Sequence, residues 1–174
     1  MNEQEDVHAQ KRMGGIMQVL AWLVFGGLGI AFFGDMLEKQ YNPNQSVTTR
    51  STASGAREVV LQRNRAGHYV TSGEINGQPV TFLLDTGATG VAVPAAVAQR
   101  LQLSPGQPFQ TQTANGVATS YAVMLDAVSV GGIVQREVAA AIAPGLEMDE
   151  VLLGMSFLKH IEFSQRGDTL ILRQ

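Results

Sequence analysis

The sequence predicts a mainly β domain, a small closed or partly closed barrel with one or two short helices, preceded by a single transmembrane helix. Three observations carry that prediction. An uncharged apolar run occupies Gly14 to Phe33, short strand-like segments broken by turn signals fill residues 58–174, and one stretch there has a helical period. Of the 174 residues, 45% are hydrophobic and 16% charged, which excludes a chain disordered throughout.

The N-terminal run has 20 residues, with Gln18 alone polar. A helix rising ~1.5 Å per residue needs about 20 residues to cross a ~30 Å hydrocarbon core. A buried core helix of that length would carry a polar face. A cleaved signal peptide would have an apolar region of only ~7 to 15 residues and end in a small-x-small site. Here the run ends in Phe32, Phe33, Gly34 and Asp35, so an uncleaved anchor over residues 13–34 is expected. Lys11 and Arg12 precede the span and Lys39 alone follows closely, which makes residues 1–12 a cytoplasmic tail and places the rest outside. In a Gram-negative inner membrane, that compartment is the periplasm.

Residues 35–57 are expected to form a flexible linker, since Tyr41 to Arg57 are rich in Asn, Ser and Thr with no apolar period. The folded domain then covers residues 58–174, a usual size for one core. Strand-like runs lie at 58–64, 68–75, 79–85, 108–113, 118–130, 133–143, 160–164 and 169–173. Asn76-Gly77 and Asn115-Gly116 are hairpin signals, and Gly131-Gly132 and Arg166-Gly167-Asp168 are further turns. Pro94 to Leu103 reads as a helix, with proline in its first turn and Val97, Ala98 and Leu101 on one face. A second helical turn is expected after Gly154.

Net charge is −3 and the pI about 5.6, so there is no basic stripe and no case for nucleic acid as a partner. The absence of cysteine excludes disulfides and thiolate metal sites. His68 and His160 stand far apart, without the close spacing of metal ligands. Glu147, Asp149 and Glu150 form an acidic cluster that reads as a solvated loop.

The chemistry concentrates in Thr81-Phe82-Leu83-Leu84-Asp85-Thr86-Gly87-Ala88-Thr89-Gly90, an apolar strand ending on a carboxylate and a small-residue turn. Asp-Thr-Gly alone is also ordinary turn chemistry. The same stretch fits D-x-G-x-T, a phosphate-gripping turn, but that fold needs two large domains. A dinucleotide site is excluded because Gly87-Ala88-Thr89-Gly90 lacks the G-x-G-x-x-G spacing. The discriminating context is Val151-Leu152-Leu153-Gly154, followed by Met155-Ser156-Phe157-Leu158.

Together the two motifs resemble the retropepsin-like, or retroviral-type, aspartic proteases, in their membrane-anchored bacterial branch. In that family an apolar pair, Gly and a short helix pass beside the Asp-Thr-Gly turn and buttress it. The resemblance covers residues 58–174 and implies an acid-protease barrel with Asp85 as the catalytic acid. Thr86, Gly87, Thr89, Leu152, Leu153 and Gly154 are implied as active-site support. Ala114, Asn115 and Gly116 take the place of the flap, on order along the chain alone.

Only one Asp-Thr-Gly is present, so the resemblance implies a homodimer through the protease domain, in which two Asp85 carboxyls share one proton and activate a water between them. It requires no metal and no organic cofactor, and its substrate is a protein or peptide. Thr86 of each chain is expected to bond across the dimer axis, and the C-terminal run Thr169 to Arg173 to supply a strand to the dimer sheet. The function expected is that of a membrane-anchored aspartic endopeptidase. The competing reading is a non-catalytic peptide- or protein-binding module of the same fold.

Overall fold

The computed structural model describes residues 3–53, 55–113 and 116–174. Two units emerge, residues 1–38 and 39–174. The first is the body of helix α1 (Glu3–Tyr41), which from Met13 to Gly34 is apolar on all sides apart from Gln18, with Met17, Leu20, Trp22 and Phe25 uncovered. Its stretch from Met13 is long and apolar enough to cross a membrane.

The second unit is mainly β. After α1 come β1 (Thr49–Ser51), β2 (Arg57–Gln62), β3 (Val70–Ile75), β4 (Gln78–Leu84), β5 (Val91–Pro94) and helix α2 (Ala95–Arg100). The chain continues through β6 (Pro108–Thr113), β7 (Gly116–Val130), β8 (Ile133–Ala143), β9 (Val151–Leu153), α3 (Met155–Leu158), β10 (Glu162–Arg166) and β11 (Thr169–Arg173).

Seven strands form one sheet in the order β3-β4-β9-β5-β8-β7-β6. β7 reaches round to pair with β3 through Glu74↔Ser129 and Ile75↔Val128, which closes the barrel in part. That approach depends on Gly73, where a Cβ would fall 2.3 Å from the Ser129 carbonyl oxygen and 2.7 Å from the Phe82 ring. The Asn76-Gly77 hairpin forms as expected, with Asn76 at φ 51° and its side-chain oxygen accepting from the Ala127 N–H at 3.0 Å. Inside lies one apolar core that includes Val59, Leu61, Ile75, Phe82, Leu125, Leu153, Phe157 and Leu172. Each such side chain contributes about 1.5–3 kcal/mol on burial.

A second sheet has the order β1-β2-β11-β10. β11 pairs with β10 on one side and β2 on the other, so within its own chain the C-terminal strand is an inner strand of this sheet, and the sheet is open to a further strand at its edges, β1 and β10.

The segment expected to be a flexible linker is also built into the fold. α1 continues to Tyr41, β1 pairs with β2, and Asn42 and Asn44 are buried. Asn44 Nδ2 donates to the carbonyls of Gln62 at 2.9 Å and Val70 at 2.7 Å, and its Oδ1 accepts from the Gln62 N–H at 2.7 Å. The physical reason is that amide side chains stand in for strand partners. A polar composition that looks like a tether satisfies the ends of β2 and β3 instead.

Candidate active site

The site begins with the alternation of β4. Val80 and Phe82 point into the core and Leu84 packs against it, so the next side chain, Asp85, leaves the core face half-buried. At that point the chain turns. The Gly87 N–H donates to Asp85 Oδ1 at 2.9 Å, and the Ala88 N–H donates to the Asp85 carbonyl at 3.2 Å. One oxygen of the carboxylate is thereby held by the backbone of its own turn. Thr86, Gly87 and Thr89 are exposed.

β9 carries the Leu152-Leu153 pair between the two strands that flank this turn. It runs parallel to β4 with Leu83↔Leu152 and Leu84↔Leu153, and meets β5 at Ala92↔Leu152. Leu153 is fully buried, and its carbonyl accepts the Asp85 N–H at 3.3 Å. Leu152 lies half-buried between the neighbouring strands.

Gly154 then passes against the turn itself. A Cβ there would fall 2.2 Å from the Gly90 carbonyl oxygen and 2.6 Å from that of Ala88, so no other residue fits without a backbone shift. The Met155 N–H donates to the Ala88 carbonyl at 2.9 Å, and the Val91 N–H donates to Ser156 Oγ at 2.9 Å. The turn from Asp85 to Gly90 is braced at its start by Leu153, in its middle by Met155 and at its end by Ser156. Ser156 was not among the expected site residues. Its signal is a hydroxyl two places after the buttressing glycine.

That bracing is the arrangement expected of one half of an aspartic protease site. The family described as "gag-polyprotein putative aspartyl protease" matches residues 71–160, which contain both motifs and the strands that join them. This chain belongs to the retropepsin-like aspartic protease family. A Sinorhizobium protein, "Uncharacterized protein in cobV 5'region", is 34% identical over 96% of this chain and 77% of its own length. "Uncharacterized protein RP867" of Rickettsia prowazekii is 29% identical over 66% of this chain and 51% of its own length. The crystal structure of a retropepsin-like aspartic protease from Rickettsia conorii is similar to 74% of this chain and 94% of its own, at 27% identity and a TM-score of 0.55.

Of the expected site residues, the fold brings Asp85, Gly87, Leu152, Leu153 and Gly154 into one braced unit. Thr86 and Thr89 lie on its open side. The expected flap is less complete. Ala114 and Asn115 lie outside the described residues, whereas Gly116 opens β7 at φ 110° in the β6–β7 hairpin, whose apolar Phe109 and Val117 are exposed. A concavity of about 560 Å³ lies beside β4 and α2, lined by Thr81, Val97, Arg100 and Asp149 among others, but by no residue of the Asp85 turn.

Proposed function

We propose that this chain is a membrane-anchored aspartic endopeptidase, active as a homodimer, that hydrolyses peptide bonds with water held between two Asp85 carboxyls. The observation that carries the reading is a single half-exposed carboxylate on a turn braced from three sides, with one oxygen held by Gly87 and its open side lined by Thr86 and Thr89. So much bracing is not needed to cap a turn. It suits a group whose position must be held while it reacts.

In the dimer, the two carboxyls lie close enough to share one proton. The ionised carboxylate takes a proton from the water as its oxygen attacks the peptide carbonyl, and the protonated one donates to the developing oxyanion. Collapse of the tetrahedral intermediate expels the amine, which leaves with a proton, and the dyad is restored. Thr86 of each chain fixes the spacing across the axis. The β6–β7 hairpin, with Gly116 opening its second strand, covers the substrate, and its apolar side chains favour apolar residues near the scissile bond. α1 anchors the domain, with the N-terminus cytoplasmic and the protease domain periplasmic at the inner membrane.

The test is cleavage of a peptide library at acidic and neutral pH by wild type and by Asp85→Asn. Cleavage by wild type alone is expected, with a loss of at least about a thousand-fold in the variant, because an amide cannot act as base at either site. Undiminished cleavage by Asp85→Asn overturns the assignment.

A further inference from the structure

We infer that β10 is the strand through which two copies of this chain join, paired antiparallel about Ser164 so that Glu162 of each copy faces Arg166 of the other. The inference rests on the dimeric reading above and names the surface that brings the second Asp85. β10 is an edge strand with all five residues exposed, Glu162, Phe163, Ser164, Gln165 and Arg166. Among the described residues three other strands end a sheet order. β1 has three residues, β3 is already met by β7 at Glu74 and Ile75 and by Asn44 at Thr71, and β6 begins with a proline, which has no N–H to donate.

The charges select the register. Two identical strands related by a two-fold axis pair antiparallel, and centring on Ser164 is the register that uses all five residues. It sets Glu162 against Arg166 twice and Phe163 against Gln165 twice. Charged edges usually repel a second chain. This one carries opposite signs at its two ends, so it attracts its own copy in this register.

The row also continues one already formed within the chain. Glu58 pairs with Arg173 across β2 and β11, and Arg173 with Glu162 across β11 and β10. Their ion pairs measure 2.9 Å and 3.6 Å. Adding the second copy's Arg166 extends the alternation of sign by one more strand. Arg166 lies opposite Thr169 in its own chain, which leaves its charge for a partner. β10 is also tied to the active site through sequence. It follows α3 by three residues, and α3 begins at the glycine that buttresses Asp85.

The chain contains no cysteine, so Ser164→Cys in the full-length protein in detergent gives one thiol, placed on the axis opposite its own copy. Directly opposite Cβ atoms lie about 4.5–5.5 Å apart, within reach of a short bifunctional thiol reagent. We expect an interchain crosslink at Ser164→Cys and none at Ser104→Cys, an exposed loop position. Adding Arg166→Glu lowers the crosslinking rate at least about ten-fold by turning two attractions into repulsions. Glu162→Arg does the same, and mixing the two variant chains restores crosslinking, because the mixed pair is complementary at both ends. No crosslink at Ser164→Cys, or one that Arg166→Glu leaves unchanged, overturns the inference. Failure of the catalytic reading is separate: it shows as peptidase activity surviving Asp85→Asn, whatever the crosslinking result.

Discussion

Gly154 tests how closely the buttress and the turn must fit. Gly154→Ala forces a methyl group into the carbonyls of Gly90 and Ala88, which are backbone and cannot rotate away. The expected cost is about 1–3 kcal/mol of stability, read as a lower denaturation midpoint, with peptidase activity falling further than stability alone requires. Ser156→Ala is milder. It removes the acceptor of the Val91 N–H and costs about 1 kcal/mol in the same assay. At this scale the sequence was legible where a residue type is forced. Asp85, Gly87 and Gly154 announce themselves by type and spacing, whereas Ser156 is a common residue whose meaning depends on which N–H it meets.

Among the elements, the strands from β2 to β4 and from β6 to β8 were legible because alternation and turn residues mark them. β5 was not, since its four residues VAVP run straight into α2 and its proline serves as the helix N-cap. β9 is three residues long and has no alternation to display, so it was visible only as a motif. The segment from Asn42 to Ser51 was hidden for a different reason. It is held by the Asn44 side-chain amide bonding to β2 and β3 and by three residues of β1 paired with β2, and no hydrophobic period reports either. Asn44→Ala removes three side-chain hydrogen bonds and leaves the Gln62 N–H and two carbonyls without those partners. The expected loss is about 2–4 kcal/mol, measurable by urea denaturation, against about 0.5 kcal/mol for a surface substitution. An unchanged midpoint would mean that the segment is a tether after all.

For the whole molecule, the anchor and the incomplete site make a joint prediction. One chain supplies one Asp85, so activity follows the concentration of dimer, and a helix that confines chains to a surface raises their effective concentration without adding a contact. Removing residues 1–38 should therefore leave the fold intact, because residues 39–174 form a unit with their own core and keep both Asn42 and Asn44. Specific activity of that shorter chain should fall steeply on dilution, approaching proportionality to concentration once monomer dominates. The full chain in vesicles should behave otherwise. Diluting the vesicles leaves its specific activity unchanged, whereas adding lipid at constant protein lowers it, because surface density and not bulk concentration sets the dimer fraction. Equal dilution dependence in the two chains would show that the helix contributes nothing to assembly, and the solitary Asp-Thr-Gly would have to find its copy through the protease domain alone.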